Sequence, residues 1–391
     1  MRNSLSFKKI KIIFVQNSNL MKKYFILVLI AIVSLKAYGQ ETGVITTAVP
    51  FVLIAGDARS AGLADMGAAT ASDAFSQQWN PAKYAFALKK QGIGVTYTPY
   101  LSKLVNDIFL ANVTYYNRLN EQSAFAASFR YFSAGEIELR ETADQVPLIV
   151  KPNEFLFDVS YSLRLSERFS MAVAARYIRS DLKLQTQIES SKAASSFAVD
   201  VAGYYQSEEI AYDSFYGRWR MGFNLSNLGP KLTYDDGDPE GSSLPTNLSL
   251  GGGFDFILDE YNKVGVTMEI DKLLVPTPTD SNGDGTIDRT DDYYSESFFS
   301  GMFSSFGNLS LAWALGAEYW YQDSFAFRAG YFNEGDDAGG RKFVTIGAGF
   351  KYTTINFDIS YLFSTSQVVS PLEGGLRFGL TFGFGDEYDE Y

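Results

Sequence analysis

The sequence predicts an all-β fold, a transmembrane outer-membrane β-barrel of about 14 antiparallel strands with an N-terminal lumenal hatch or plug. Three observations predict it. The last structured stretch, residues 375–384, alternates strictly, with Leu376, Phe378, Leu380, Phe382 and Phe384 on one face. Similar segments of about ten residues recur along most of the chain, a length that suits a tilted strand crossing a bilayer better than a soluble core strand. Finally, 16% of the 391 residues are aromatic, yet the mean hydropathy is only −0.07. Beyond the N-terminus no apolar run is long enough for a membrane helix. Lipid-facing and lumen-facing residues average out in this way in a barrel.

Taken in order, the chain begins with a segment, 1–39, that reads as a secretory signal. Met21-Lys22-Lys23 supplies a cationic start, Tyr24 to Val33 an apolar core, and Ala37-Tyr38-Gly39 small residues at the cleavage positions, so the mature chain is expected to begin at Gln40. An N-terminal anchor is the alternative, but the apolar run is short for one. Met1 to Leu20 do not fit a signal, which makes Met21 the candidate start. Residues 40–91 do not read as strands. They are rich in small residues, and Asn80-Pro81 marks a turn, so they are expected to form a compact hatch or plug within the lumen. Strands are then expected at 92–100, 105–117, 121–134, 154–165, 168–179, 195–206, 217–228, 246–256, 261–271, 309–320, 323–333, 342–352, 354–364 and 374–384. Residues 385–391 form an acidic tail. With a periplasmic N-terminus, short turns should alternate with long outer loops, and the connections 117–120, 165–168 and 320–323 are short where 134–153, 229–245 and 272–308 are long. The first outer loop is short, and the turn at 206–216 is long for its side.

Composition excludes whole classes of function. The chain has no His and no Cys, so a Ser-His-Asp triad, a His-ligated zinc and a thiol nucleophile are ruled out. No carboxylate, Lys or Ser-Lys constellation stands out, and no catalytic residue is assigned: the chain is not expected to be an enzyme. Cleavage after Gly39 would remove seven of the 33 basic residues and none of the 45 acidic ones, leaving a formal charge of −19. That balance argues against nucleic acid as a partner.

Residues 280–291 read Asp-Ser-Asn-Gly-Asp-Gly-Thr-Ile-Asp-Arg-Thr-Asp. Asp280, Asn282, Asp284, Thr286, Asp288 and Asp291 fall at the ligand positions of a calcium loop, with Gly285 at the sharp turn. Alternate oxygens there can wrap a hard cation, so Ca2+ is expected as a structural ion that orders a long outer loop. An acidic solvated turn is the alternative. Two further acidic clusters, Asp235, Asp236, Asp238 and Glu240, then Glu334, Asp336 and Asp337, read as solvated loop tips, with divalent bridging to anionic glycolipid as the weaker reading. Trp219, Trp313 and Trp320 are expected in the interfacial girdles rather than in a ligand platform.

The order of parts, with Gly56-Asp57-Ala58-Arg59-Ser60-Ala61-Gly62, then Asn80-Pro81-Ala82, then about fourteen strands, resembles the long-chain fatty acid transporter (FadL-like) superfamily. Within it, Thr47-Ala48-Val49-Pro50-Phe51-Val52-Leu53-Ile54 leading into Asp57-Ala58-Arg59-Ser60-Ala61-Gly62 resembles the PorV/LptO family of the type IX secretion system of Bacteroidota. The resemblance spans residues 40–384. It implies a non-enzymatic outer-membrane shuttle or adaptor that docks on the large translocon barrel and receives cargo bearing the C-terminal sorting domain. The cargo then passes to the surface sortase complex for attachment to lipopolysaccharide. The runner-up is a transporter of hydrophobic small molecules, and a third reading is a lipopolysaccharide-modifying enzyme. A transporter needs an apolar path; an adaptor needs exposed apolar patches, for which Leu273, Leu274, Val275, Val368, Val369 and Leu372 are the candidates.

Overall fold

Strands whose side chains alternate between apolar-outward and small or polar-inward close into one antiparallel barrel. The computed structural model describes residues 45–388 apart from 141–143, 183–191, 235–239, 289, 308–309 and 337–338. The signal segment with Met21 and Gln40, the acidic Asp235, Asp236, Asp238 and Asp337, and the last three tail residues lie outside the described residues.

The wall consists of β1 (Lys89–Pro99), β2 (Ile108–Arg118), β3 (Ser123–Ala134), β4 (Asn153–Ser166), β5 (Phe169–Asp181), β6 (Ala194–Gln206), β7 (Tyr216–Leu228), β8 (Asn247–Ile257), β9 (Asn262–Leu273), β10 (Ala312–Tyr321), β11 (Phe325–Glu334), β12 (Lys342–Tyr352), β13 (Ile355–Ser364) and β14 (Arg377–Glu387). Each strand pairs with the next, and β14 pairs back onto β1, from Tyr97 opposite Phe378 to Gln91 opposite Phe384. Closure leaves the fourteen-stranded wall without an edge, which is what allows its backbone polar groups to sit in hydrocarbon.

On β4 the alternation is plain: Phe157, Val159, Tyr161 and Leu163 are exposed outward, while Asp158, Ser160 and Ser162 are buried inward. The fourteen expected strands are all present, with shifted ends. The closing strand starts at Arg377 rather than 374 and runs to Glu387, and β10 starts at Ala312 rather than 309. Alternation marks a strand's face, whereas its ends are set by the partner's reach; β14 extends because Glu387 lies opposite Lys89 across a bulge. The long turn after β6 contains a two-residue strand, Ile210–Ala211, that folds back onto Tyr216 and Gly217.

Short turns and the start of β1 share one end of the barrel; the long connections 135–152, 182–193, 229–246 and 274–311 share the other. The long-loop end is the outer one by the usual rule for such barrels. Before β1, residues 45–88 form 3-10 turns at Pro50–Leu53 and Pro81–Phe86 and single helical turns at Ala58–Ala61 and Ser76–Trp79. Ala55, Ala61, Ala64, Ala68, Ala69, Ala82 and Ala85 in it are wholly buried. Small side chains let this backbone approach the inner face of the wall closely. At Gly222 of β7 an added Cβ would stand 1.9 Å from the Ala68 carbonyl oxygen, so no larger residue fits there.

Candidate functional site

The N-terminal segment meets the wall through apolar contacts, such as Phe51 and Val52 among Leu110, Leu156 and Ile178, and through a set of directed polar bonds. Asp57 caps the turn Ala58–Ala61 by accepting from the Ser60 amide at 2.7 Å, and its second oxygen accepts from Trp79 Nε1 at 2.7 Å. The cap places Arg59 to reach across the lumen. Its Nε and terminal nitrogen donate to both oxygens of Glu318 on β10, each at 3.0 Å, and its other nitrogen donates to Asp73 at 2.8 Å. Arg328 of β11 donates to Glu318 and to Asp358 of β13, each at 2.7 Å. On β9, Glu269 accepts from the amides of Gly67 and Ala68.

Asn80-Pro81-Ala82 now has a physical account. Asn80 is fully buried; its oxygen caps Ala82, and its amide nitrogen donates to Ala68 O at 2.8 Å and to Gly203 O of β6 at 2.9 Å. Pro81 opens the following turn, where no N–H is needed, and the Ala82 carbonyl accepts from Ser170 of β5 at 2.7 Å. Burial, followed by the negative Asp73, raises the Asp57 carboxyl to about 6. Burial lowers the Lys83 ammonium to about 8 against the pull of Asp73; that ammonium donates to Gly67 O and to Thr70 Oγ1.

Cavities lie on both sides of this segment. The outer one holds about 120 Å³ and is lined by Val52, Leu53 and Trp79 of the segment and by Arg130, Arg176, Asp271, Glu334 and Arg341 of the wall and its rim. Arg176 bridges Asp158 at 3.1 Å and Asp200 at 2.8 Å, and Arg341 grips both oxygens of Glu334 at 2.8 Å. The inner one holds about 380 Å³ and is lined by Arg59, Asp73 and Phe86 of the segment and by Arg220, Glu318 and Trp320 of the wall.

Several sequence expectations change here. Glu334 is not a solvated loop tip: it ends β11, is buried, and pairs with Arg341. Asp336 stays at the surface near Lys342, and Glu240 is exposed. Trp320 is not in a girdle, because even-numbered residues of β10 face the lumen; its indole donates to Glu318 at 2.6 Å. Trp219 and Trp313 do face outward. Among the apolar candidates, Leu274, Val275 and Leu372 are buried, and Leu273 lines the outer cavity. Leu274 continues the ladder by donating to Thr246 O, and only Val368 and Val369 remain well exposed. The lumenal Glu269, Glu318 and Asp358 were missed, although each is an acid at an inward position of an alternating strand, a signal legible in the sequence. Glu318 and Asp358 are the sole acids of their strands, and Glu269 is followed by Asp271 on the same face.

The six calcium-loop candidates fall in one outer loop, and their oxygens take the loop's own donors. Asp280 accepts from Gly283 and Gly285, Asn282 from Asp284, Asp284 from Thr286, and Asp288 from Thr290. Asp291 is buried and accepts from Ser281 and Asp288. Hydrogen bonds hold two of these carboxyls below the usual range, from the Thr286 side chain at Asp284 and from the Asp288 amide at Asp291. Among the described residues no group of three acidic side chains converges as metal ligands do.

Residues 37–280 match the family model described as Type IX secretion system protein PorV. Among solved structures, the chain is similar to the CymD monoaromatic hydrocarbon channel, with TM-score 0.48, 12% identity, and coverage of 87% of this chain and 99% of that one. It is similar also to the Pseudomonas putida toluene transporter TodX, with TM-score 0.47, 12% identity and coverage of 83% and 96%. A Pseudomonas aeruginosa FadL homologue gives TM-score 0.44, 12% identity and coverage of 88% and 100%. No curated protein matches the chain by sequence.

Proposed function

Because the chain belongs to the PorV family of type IX secretion system proteins, we propose that it is the shuttle or adaptor barrel of that system. In this reading it docks on the large translocon barrel, receives cargo bearing the C-terminal sorting domain, and delivers it to the surface sortase complex. Family membership is the observation that carries the reading. The lumen supports it against the runner-up, a transporter of hydrophobic molecules. Pockets for such ligands are mostly apolar, whereas the outer cavity here, about 120 Å³, is edged by Arg176, Glu334 and Arg341, and the inner one, about 380 Å³, by Arg59, Arg220 and Glu318. With its N-terminal segment bonded to the inner wall, the barrel serves in this reading as a scaffold for its outer loops. No catalytic step is assigned.

Affinity purification from outer membranes tests the reading. Co-isolation of a very large barrel together with secreted cargo is the expected result. A lone protein with bound lipid, and defective uptake of hydrophobic molecules on deletion, would overturn it in favour of transport.

A further inference from the structure

We propose that residues 298–307, in the longest outer loop, are a monolayer anchor whose phenyl rings sit among the acyl chains of the outer leaflet. The helix Phe298–Ser304 and the turn Ser305–Gly307 carry Phe299, Phe303 and Phe306, which are 68%, 68% and 56% exposed. At about 100° per residue these three project within roughly 60° of one another. The opposite face is the one that packs: Gly301 and Ser305 are buried, and a Cβ on Gly301 would meet Pro276 at 2.4 Å. The segment is therefore docked by its small-residue side and turns its aromatic side away from the protein.

Register decides which side of the wall it lies on. Leu250 pairs with Ile270 and Leu248 with Lys272, so Lys272 continues the outward face on which Met268, Ile270 and Leu250 are exposed. Yet Lys272 is only 8% exposed. Its ammonium lies 6.0 Å from the centre of the Phe306 ring and 3.5 Å from the Ser310 carbonyl. The loop thus folds over the outside of the barrel at the rim, rather than over the mouth. The three phenyl rings extend the lipid-facing band of β8 and β9 across a single lysine, whose stem can lie along apolar surface while its head stays at headgroup level. That continuity favours lipid as the occupant over a protein. A short helix with one aromatic face suits the boundary between headgroups and acyl chains.

The chain contains no cysteine, so single nitroxide labels can be placed without background. Phe299→Cys, Phe303→Cys and Ser304→Cys would each be labelled in the full chain and reconstituted in phosphatidylcholine–phosphatidylglycerol vesicles. A heat-dependent shift in gel mobility first establishes that each variant has folded. The expected result is a ratio of oxygen to aqueous nickel collision several-fold higher at 299 and 303 than at 304. Equal nickel access at all three sites would overturn the anchor. Exclusion of both reagents at 299 and 303, in vesicles or in native outer membranes, would also overturn it, because a protein would then cover the rings.

Discussion

The two cavities that flank the N-terminal segment are polar in different ways. Around the outer one the strong ion pairs join wall to wall or wall to rim: Arg176 with Asp158 and Asp200, Arg341 with Glu334. The segment offers this side Val52, Leu53, Asp65, Gln78 and Trp79. Around the inner one, wall-to-wall pairs, Arg328 with Glu318 and Asp358, are joined by charged bonds that cross from segment to wall, Arg59 to Glu318 and Arg220 to the Ala69 carbonyl. The guanidinium–carboxylate clamp of Arg59 on Glu318 therefore lies beneath the segment, and most of the ion pairs above it lie within the wall and its rim. Segment-to-wall bonds also reach the outer half, among them Arg130 to Val52 O, Thr345 to Gly62 O and Arg377 to Asp65. Changes on the inner side should loosen the segment, and changes on the outer side should alter the mouth while leaving the segment seated.

The largest effect is expected from Glu318→Ala. It removes the carboxylate shared by two buried guanidiniums and leaves Arg59 with Asp73 and Arg328 with Asp358. Breaking a buried pair costs about 3–5 kcal/mol, which bounds the loss. Urea unfolding of the refolded barrel should show that loss, and trypsin should gain access at Arg59; unchanged protection would break the contrast. Asn80→Ala removes three bonds at one buried side chain and should destabilise by about 1–3 kcal/mol, with the same gain in cleavage. On the outer side, Glu334→Gln weakens a pair whose arginine side chain is 43% exposed, so about 1 kcal/mol or less is expected. Proteolysis of the segment should not change, and if it does the two sides are not independent.

The calcium loop sharpens the outer half of the comparison. Calorimetric titration of the barrel with calcium, and of an Asp280→Ala, Asp284→Ala double variant, separates a metal-ordered loop from one closed by its own hydrogen bonds. The sequence expectation is calcium binding that the double variant loses; equal heats would reject it. The smallest effect is expected at Glu373, whose carboxyl is pulled down to about 2, chiefly by a hydrogen bond from Lys103. A lowered carboxylate contributes stability above its unfolded value of 4.5, and the contribution is lost as pH falls through about 2. Glu373→Gln should therefore raise amide exchange in the loop 365–376 only slightly at pH 7, and the difference from the parent should vanish in acid.

Much of the wall was legible because period two is a local property. Phe157, Val159 and Tyr161 need only their own spacing to declare a face, and the same holds for each strand. The candidate site was less legible. Asp57 and Asn80 could be recognised as turn and cap formers, but not as the groups that reach Trp79 and Gly203. Glu334 reads as a loop acid until Arg341 is seen to hold it. Trp320 reads as a girdle residue until the parity of β10 is settled by its pairing.

By itself, then, the sequence determined the barrel, its strand count, the end that carries the long loops, and a small-residue segment ahead of the strands. Side-chain period and turn residues are written within a dozen residues, and loop length in the spacing between successive strands. Tertiary structure alone decided that Arg59 meets Glu318, 259 positions away. It decided as well that Leu274 and Val275 are covered and that the aromatic face of Phe299, Phe303 and Phe306 hangs outside the rim. Those outcomes depend on strand register and barrel closure, which bring together residues whose separation along the chain carries no periodic signal.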